Sequence, residues 1–324
     1  MHKAKVRNIF ETGLGCILKI FPRVKSIIIN KLTIFVYHNI TNTPSDFNKA
    51  WGLSVSINTF QNQISWIKDN FNIIHPNDLL SKSHLPNKSA VITFDDGFAG
   101  AFENGITHLV KKSIPSAMYL NMGSIIEERP ILSAVVDYLD KNSSSFKAFA
   151  KNQNLKKPYF LSITPTLLNQ YEKENGPLNF SAIRKYQGPI ANISTVKNWC
   201  GEELVVFGNH LYDHWNSAAL NSLEFKEQYL NNERELKKLN INNSLFAFTN
   251  GQPETCFSHR EIKLLKELGA KKIFFSGGAS NSSANAYLLD RIGLSEIDCT
   301  NNHLWFKMFR LFLKRHKQPI ISVT

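Results

Sequence analysis

The sequence has few cysteines and no long apolar run. Cys16, Cys200, Cys256 and Cys299 lie far apart and form no CxxC pair, which argues against a disulfide-stapled scaffold and favours ordinary reduced thiols. No stretch of about 18 or more uncharged apolar residues is present, so a membrane-spanning helix is not expected. The short apolar runs of residues 9–36 are interrupted by lysine and arginine, and no small-residue cleavage pattern follows them, so a secretory signal is not predicted either.

Acidic residues are scarcer than basic ones. The 324 residues include 38 Lys and Arg against 26 Asp and Glu, a formal net charge of +12. This balance favours an acidic partner, such as a nucleic acid, an anionic membrane surface or a phosphate-bearing substrate. A nucleic acid is the weakest of these, because the positive charge is spread along the chain and no recognised binding motif accompanies it. With 43% hydrophobic residues, the chain can bury a full core.

Short apolar runs rich in Val, Ile and Phe alternate with helical patterns. Residues 57–67 carry apolar side chains at helical spacing, and Ser258 and Glu261 form a capping box at the start of a second helix, 258–268. The apolar runs are typical of buried strands; they are residues 32–37, 90–94, 204–207 and 245–248, with 116–120 and 272–275 as weaker candidates. The alternation predicts an α/β fold with a mostly parallel sheet or barrel.

The chain divides into three predicted parts. Residues 1–30 form a basic N-terminal segment, 31–300 one folded domain, and 301–324 a basic, apolar tail. Within the domain, the polar residues from about 130 to 196 break the alternation of strands and helices, and we predict a partly helical insertion there. The tail either packs as a terminal helix or attaches to a membrane surface.

Two adjacent carboxylates follow the run 90–94. The sequence Val-Ile-Thr-Phe-Asp95-Asp96-Gly97 ends an apolar strand in two acids and a glycine. Adjacent side chains on an extended chain point apart, so one carboxylate can bind a cation while the other handles a proton. Asp-Asp-Gly is also an ordinary turn sequence, and the pattern alone does not decide between the two interpretations.

Two histidines follow the run 204–207. His210 and His214 are four residues apart and converge on one ion if the backbone is helical or turned, because neutral imidazole is a common ligand of zinc and related metals. Such pairs also occur on surfaces without a metal. Two imidazoles and one carboxylate leave coordination positions open for water and substrate, which is the arrangement that hydrolysis requires.

These motifs resemble those of the NodB-type polysaccharide deacetylases, the carbohydrate esterase family 4. Residues 93–97 resemble the first signature, 209–214 the His-x-x-x-His signature, and 246–251 (Phe-Ala-Phe-Thr-Asn-Gly) the third. Residues 37–40, Tyr-His-Asn-Ile, are similar to the Tyr-His-x-Ile motif of the poly-N-acetylglucosamine deacetylase branch. The resemblance covers roughly residues 32–295 and implies a distorted (β/α)7 barrel.

The resemblance also implies roles for single residues. Asp96, His210 and His214 would hold a divalent metal ion, and Asp95 would be the general base that takes a proton from water. His38 would give a proton to the departing amine. Without the resemblance, a lone histidine after a strand is more often a structural residue.

The third motif departs from the family pattern. The family usually has proline where this chain has Thr249, and many members carry an arginine there that orients the base. A backbone N–H near Asn250 would stabilise the oxyanion. Arg291, after a later strand, is the candidate for the missing arginine, with an ordinary surface arginine as the alternative. Asp213 either orients one of the histidines or is a solvated loop carboxylate.

The candidate residues share one position relative to the strands. His38, Asp95, His210 and Asn250 each follow the C-terminal end of a predicted strand, which is where parallel barrels place their active sites. Aromatic residues near these motifs either stack on a sugar ring or pack in the core, and the sequence does not separate the two uses; they are Trp51, Phe98, Tyr212 and Trp215.

The resemblance implies a metal-dependent hydrolase that removes N-acetyl groups from sugars of a bacterial surface glycan or its lipid-linked precursor. The expected cofactor is one divalent ion, Zn²⁺ by its ligands, although Co²⁺, Ni²⁺ or Fe²⁺ would also fit. The basic, apolar termini favour peripheral contact with an anionic membrane, and we expect a cytoplasmic protein at or near the inner membrane. The alternatives are an inactive glycan-binding protein on the same fold and a metal hydrolase of another N-acyl or amide bond.

Overall fold

The computed structural model describes residues 22–242 and 244–315. In these residues the strands β1 to β11 are Thr33–Tyr37, Asn39–Ile40, Ser54–Val55, Asn72–Ile73, Ser89–Phe94, Ser116–Leu120, Val205–Asn209, Leu245–Ala247, Lys272–Phe275, Leu288–Asp290 and Ile292–Gly293. The helices α1 to α14 are Pro22–Ile29, Asp46–Trp51, Ile57–Asn70, Asp78–Ser81, Thr107–Lys111, Met122–Glu127, Leu132–Asn142, Ser144–Asn152, Pro165–Asn175, Phe180–Gln187, Ile193–Trp199, Ser222–Lys238, His259–Glu267 and Asn301–Arg315. A π-helical turn, Ala101–Ile106, leads into α5, and 3-10 turns lie at Tyr159–Leu161 and Ser217–Ala219.

The main sheet is parallel and closes into a barrel. Its strand order is β10-β9-β8-β7-β6-β5-β1-β11, and β4 pairs with the start of β5 outside this path. Strands β10 and β11 are consecutive pieces of residues 288–293; the first pairs with β9 and the second with β1. This segment therefore closes a seven-stranded barrel, which confirms the predicted distorted (β/α)7 architecture.

The six predicted strands are confirmed as β1, β5, β6, β7, β8 and β9. Apart from the partly buried Phe275 of β9, their residues are buried on both faces, as expected for a parallel sheet covered by helices. Alternate strand residues, among them Val91, Ala117 and Val206, share one apolar cluster, whereas the residues between them pack in other clusters. The predicted capping box at the start of α13 is also present.

The insertion is partly helical, as predicted. Its residues form α7 to α11, and a small apolar cluster of Phe47, Phe98, Ile131 and Ala134 joins it to α2 and to the end of β5. The N–H of Ala191 donates to the carbonyl oxygen of Gly97 at 2.9 Å. The insertion therefore lies at the C-terminal end of the barrel strands, beside the motif that contains Asp95 and Asp96.

The C-terminal tail packs as a helix up to residue 315. Leu304, Trp305 and Met308 of α14 are buried, and the ring centroids of Trp305 and Trp66 lie 5.3 Å apart. Residues 1–21 of the predicted N-terminal segment and 316–324 of the tail lie outside the described ranges. None of the helices described in 22–242 and 244–315 is long and apolar enough to cross a bilayer.

The cysteines that the structure describes are free thiols. Cys200 and Cys299 are half-buried, and Cys256 is buried. Cys16 lies outside the described residues. For the three described cysteines, ordinary reduced thiols remain the prediction.

Candidate metal centre and active site

The predicted site residues line one cavity at the C-terminal end of the barrel. The cavity has a volume of about 480 Å³. His38 follows β1, Asp95 follows β5, His210 follows β7, and Arg291 separates β10 from β11. The cavity wall also contains Asp96, His214 and Asn250. Residues up to 253 positions apart in the sequence, His38 and Arg291, thus meet in one place.

Asp96 lies at the centre of a tight turn at the end of β5. The N–H of Gly97 donates to the carbonyl oxygen of Asp95 at 2.9 Å, which closes a three-residue turn. The φ of Asp96 is 70°, a conformation that costs a non-glycine residue on the order of 1–3 kcal/mol. At Gly97 φ is 81°, and a Cβ atom there would lie 3.1 Å from the Leu120 side chain. The turn directs the adjacent carboxylates of Asp95 and Asp96 to different partners.

The loop after β7 brings the two imidazoles to Asp96. Leu211 and His214 both have a φ of 61°, so the backbone turns instead of continuing as strand or helix. The Nε2 atoms of His210 and His214 lie 3.4 and 3.1 Å from Oδ1 of Asp96. The ligand atoms of the three residues all lie within 4.8 Å of one another. A turned backbone is one of the two geometries in which the four-residue spacing allows convergence.

These three side chains fit a divalent metal ion. Oδ1 of Asp96 is buried, and no donor among the described residues gives it a hydrogen bond of ordinary geometry. Nδ1 of His210 donates to the carbonyl oxygen of Ala247 at 2.8 Å, so Nε2 keeps its lone pair on the side of Asp96. A buried carboxylate oxygen that faces imidazole lone pairs is poorly stabilised unless positive charge lies between them.

The electrostatics of the cluster favour positive charge at the same point. Burial raises the pKa of Asp96, but His214 and His210 outweigh burial and hold that pKa well below its usual range. Burial lowers the pKa of His210, but the carboxylates of Asp95 and Asp96 outweigh it and raise that pKa. The ionised carboxylates therefore attract either a metal ion or a proton to this position.

Arg291 is a buried partner of Asp95 and not a surface arginine. Its Nη1 and Nη2 donate to Oδ1 and Oδ2 of Asp95, both at 2.7 Å. Arg291 is only 1% exposed. The guanidinium carbon lies 5.5 Å from the ring centroid of Tyr119. Burial raises the pKa of Asp95, but the Arg291 charge outweighs it, so the pKa lies below its ordinary value. Asp95 is held as an oriented carboxylate.

The third motif ends in a turn that points Asn250 into the cavity region. Asn250 has a φ of 60°, and the N–H of Gly251 donates to the carbonyl oxygen of Thr249 at 2.6 Å. The N–H of Asn250 donates a hydrogen bond to none of the described residues, so it is available to a ligand. Thr249, which replaces the usual proline, donates its hydroxyl to the carbonyl oxygen of Trp215. This bond joins the third motif to the loop that carries the histidines.

His38 lines the cavity with a half-buried ring. Burial lowers the pKa of His38, and the opposing effects of Asp96 and Asp95 do not compensate fully. The imidazole is therefore mostly neutral at neutral pH in the free protein.

Three buried asparagines hold the histidine loop, and sequence reasoning missed this role. Asn121, directly after β6, donates to the carbonyl oxygens of His210 and Leu211. Asn209 accepts from the N–H of Leu211 and from Asn232, both at 2.9 Å, and Asn232 also donates to the carbonyl oxygen of Leu120 at 2.9 Å. The signal that could have found Asn121 is its position just past a strand end.

Asp213 does not orient a histidine. Its carboxylate accepts from Arg129 at 2.9 Å and from Gln228 at 2.8 Å. The N–H of Asp213 donates to Gln228 at 2.8 Å. Asp213 therefore anchors the middle of the histidine loop to α12 and to Arg129, which is neither of the two interpretations that the sequence suggested.

The aromatic residues near the motifs divide between the core and the cavity. Phe98 and Trp215 are buried, and the hydroxyl of Tyr212 donates to Glu127 at 2.6 Å. Trp51 lines the cavity and remains 41% exposed. The insertion contributes further lining residues that sequence reasoning did not identify; they are Ser133, Pro158, Phe160 and Leu161.

The C-terminal end of the parallel barrel carries two imidazoles, a pair of carboxylates and a buried arginine. This combination is typical of metal hydrolases built on a barrel. The chain belongs to the polysaccharide deacetylase family: the sequence model of that family matches residues 82–273, more than half of the chain. No curated protein sequence matches the chain.

Solved structures with the same fold include several deacetylases. The Streptococcus pyogenes deacetylase PplD, determined in complex with acetate, is 16% identical with a TM-score of 0.58; the match covers 86% of this chain and 98% of that one. IcaB from Ammonifex degensii is also 16% identical with a TM-score of 0.58, over 86% and 97% of the chains. A de-N-acetylase from Aggregatibacter actinomycetemcomitans is 14% identical with a TM-score of 0.53, over 87% and 99%. At these identities the likeness establishes the fold.

Proposed function

We propose that this protein is a metal-dependent deacetylase that removes N-acetyl groups from the sugars of a bacterial surface glycan or its lipid-linked precursor. The observation that carries the proposal is the meeting of two groups of residues in one cavity. Asp96, His210 and His214 converge on one point, and the Asp95–Arg291 pair lies beside them. Membership of the polysaccharide deacetylase family supports an N-acetylated glycan as the substrate.

Asp96, His210 and His214 would hold the metal ion. Two imidazoles and one carboxylate suit Zn²⁺, and Co²⁺, Ni²⁺ or Fe²⁺ accept similar ligands. When bound, a divalent ion supplies a Lewis acid that polarises a carbonyl oxygen and lowers the pKa of water. The Ala247 carbonyl oxygen keeps the His210 ring in the tautomer and orientation that ligation needs.

Asp95 is the proposed general base. Because the pKa of Asp95 is held below its ordinary value, the side chain is ionised at neutral pH and free to accept a proton. The two bonds from Arg291 fix the plane of the carboxylate. Water that gives its proton to Asp95 attacks the acetyl carbonyl carbon, and the N–H of Asn250 is the proposed donor to the oxygen that becomes negatively charged.

His38 is the proposed acid that protonates the departing amine. Breaking the C–N bond requires this proton, since an amine leaves poorly as an anion. The lowered pKa makes His38 a stronger acid whenever it carries a proton. Its role requires that the ring is protonated when the C–N bond breaks. The position of His38 at the end of β1, within Tyr-His-Asn-Ile, supports assignment to the poly-N-acetylglucosamine deacetylase branch.

The direct test is acetate release from N-acetylhexosamine oligosaccharides, comparing the wild-type protein with Asp95→Asn. We expect the variant to lose about 10²–10⁴-fold in kcat while it retains the metal ion. Absence of acetate release from both proteins, with glycan binding retained, would instead favour an inactive glycan-binding protein. Release of another acyl group from a substrate panel would favour a different amide hydrolase.

We also propose peripheral contact with an anionic membrane, on the cytoplasmic side. Helices α1 and α14 contact each other, and Ile27 and Leu313 on them are 59% and 50% exposed. Arg310 adds positive charge on the exposed part of α14. An exposed apolar surface with adjacent basic residues is typical of helices that bind membrane surfaces.

A further inference from the structure

Residues 276–279 form the loop after β9 and reach the cavity, yet the proposed reaction assigns them no role. Their sequence is Ser-Gly-Gly-Ala, and Ser276 lines the cavity together with Asn250 and Arg291. Because β9 is parallel to its neighbours, the loop lies at the C-terminal end of the barrel with the other site residues.

Ser276 connects two parts of the proposed active site. Its N–H donates to the carbonyl oxygen of Gly251 at 2.7 Å, and its hydroxyl oxygen accepts from Nη2 of Arg291 at 3.4 Å. Its carbonyl oxygen accepts from the side-chain amide of Gln252 at 2.5 Å. Two of these bonds hold the turn of the third motif, and the other reaches the guanidinium that orients the proposed base.

The carboxyl group of Asp290 holds this loop in place. Its Oδ1 accepts from the N–H of Gly277 at 2.6 Å and of Gly278 at 2.9 Å, and its Oδ2 accepts from Ala279 at 3.0 Å. Three successive N–H groups thus converge on one side chain, which belongs to a residue only 6% exposed. Burial raises the pKa of Asp290 to about 7, and both protonation states have oxygen atoms that accept hydrogen bonds.

Asp290 is itself fixed in position, and the next residue in the chain is Arg291. The N–H of Asp290 donates to the side chain of Asn281 at 2.7 Å, and Asn281 donates to the carbonyl oxygen of Asp290 at 2.8 Å. The N–H of Arg291 donates to the carbonyl oxygen of Phe275 at 2.8 Å, and its carbonyl oxygen accepts from Gly278 at 3.1 Å. The loop and the segment that carries Arg291 are therefore bonded through main chain and side chains.

The contact with Asp290 leaves no room for a side chain at residue 277. A Cβ atom on Gly277 would lie 2.8 Å from Oδ2 of Asp290 and 2.9 Å from the ring of Phe275. Both distances are shorter than van der Waals contact, so any larger residue would push the loop away from Asp290. A glycine stands where the carboxyl group approaches the backbone closely.

From these contacts we infer that Asp290 is a positioning residue for the proposed deacetylation. Through the loop 276–279 it fixes Arg291, and with it the carboxylate of Asp95, relative to the N–H of Asn250. The proton acceptor and the oxyanion donor act on the same acetyl group, so their relative placement decides the rate of the chemical step. The inference rests on the proposed function and adds to it a residue that does not line the cavity.

The test compares Asp290→Ala with the wild-type protein in acetate release from N-acetylhexosamine oligosaccharides. We expect kcat of the metal-bound protein to fall by about 10–100-fold, because the reacting groups lose their alignment. The lost alignment matters in the transition state, so KM should stay within about threefold of the wild-type value. Affinity for Zn²⁺ should also change little, since Asp290 contacts none of the proposed ligands.

Gly277→Ala tests the same contact without removing a carboxyl group. Its methyl group should displace the loop from Asp290, and we expect the same loss in kcat with little change in KM. If Asp290→Ala does not fold, Gly277→Ala decides the question.

Asp298→Ala is the matched control. Asp298 is also buried, accepts from the N–H and the hydroxyl of Ser295, both at 3.0 Å, and does not line the cavity. Its replacement should reduce stability and leave kcat unchanged.

Hydrogen exchange gives a readout that does not depend on activity. In Asp290→Ala and Gly277→Ala, the amides of residues 249–252 and 276–279 should exchange faster than in the wild-type protein, because the bonds that close these segments are weakened. In Asp298→Ala the same amides should keep their wild-type rates.

The outcomes separate this inference from the proposed function. Wild-type kcat in the Asp290 and Gly277 variants, or wild-type exchange rates in both segments, would overturn the positioning role and leave the deacetylase proposal standing. An equal fall of kcat in Asp298→Ala would also overturn it, because a general loss of stability would then account for the effect. No acetate from the wild-type protein would count against the deacetylase proposal and against the inference that rests on it.

Discussion

Asp95 and Asp96 are neighbours in the sequence, yet their carboxylates have different surroundings. Asp95 accepts two bonds from Arg291, whereas Asp96 faces the Nε2 atoms of His210 and His214. The turn centred on Asp96 produces this separation. One side chain is thereby oriented for proton transfer and the other for ligation, which is the division of roles that the proposed reaction needs.

Removal of the Arg291 charge should destabilise the protein. In Arg291→Gln, Asp95 keeps a buried charge without its partner, and we expect the free energy of unfolding to fall by about 3–5 kcal/mol. Arg291→Lys keeps the charge but not the two-bond geometry, so it should retain more stability than activity. Urea denaturation and acetate release measure the two effects.

Arg184→Gln is the control for this experiment. Its guanidinium pairs with Glu128 at 3.2 Å on an exposed surface, and loss of such a pair should change stability by about 0–1 kcal/mol. An Arg291→Gln variant as stable as this control would show that the Asp95–Arg291 pair is not a structural requirement.

Metal affinity should fall as the pH falls. The pKa of His210 is raised by Asp95 and Asp96, so a proton must leave this imidazole before Nε2 can bind a metal ion. Below that raised pKa the protonated form dominates, and affinity should drop by up to about tenfold for each pH unit. Competition for Zn²⁺ against a chromophoric chelator between about pH 5 and about pH 8 measures this dependence. An affinity constant across that range would contradict the ligand role of His210.

At the scale of secondary-structure elements, the sequence predicts the strands that are continuous apolar runs. The strands β1, β5, β6, β7, β8 and β9 are such runs, and the polar residues just after β1, β5 and β7 meet in the cavity. The closing segment 288–293 is short and contains the buried polar side chains of Asp290 and Arg291, so its role in the barrel follows only from tertiary pairing. The cavity-lining residues Phe160 and Leu161 were not predictable either, because they lie in a polar insertion with no strand pattern.

The buried asparagines that support the histidine loop could not be predicted from the sequence either. Nothing in the local sequence distinguishes Asn232 from Asn231, the other asparagine of α12, because the partners of Asn232 come from other elements. They are Met122, Leu120 and Asn209. Its role depends on the packing of α12 against the ends of β6 and β7.

Asn232→Ala should lower the metal affinity, although Asn232 is not one of the proposed ligands. The variant leaves the buried N–H of Met122 without its side-chain partner, which should cost about 1–3 kcal/mol of stability. The carbonyl oxygen of Leu120 loses Asn232 but keeps the N–H of His210 at 3.2 Å. Metal affinity should fall by about 10–100-fold. Asn231→Ala, one residue away on the same helix and not buried, is the control. Wild-type metal affinity in Asn232→Ala would rule out a supporting role.

At the scale of the whole molecule, the net charge of +12 makes association with anionic surfaces sensitive to salt. The surface proposed for membrane contact is formed by α1 and α14 and is separate from the cavity that holds the site. The two proposals can therefore be tested independently of each other.

The protein should sediment with anionic liposomes at low salt and be released as the salt concentration rises. Arg310→Glu should weaken sedimentation by at least about fivefold, on the basis of about 1 kcal/mol for each basic residue lost near the surface. Lys147→Glu, an exposed change on α8 of the insertion, should have a smaller effect. If the wild-type protein stays in the supernatant at low salt, the membrane contact is excluded.

Metal analysis combined with acetate release is the most direct test of the metal-dependent deacetylase. The wild-type protein should bind about one divalent ion per chain, lose activity when the ion is chelated, and regain it when Zn²⁺ is added back. Asp96→Asn and His214→Ala should lose both the ion and the activity. Full activity of the metal-free protein, or one tightly bound ion in either variant, would contradict the account.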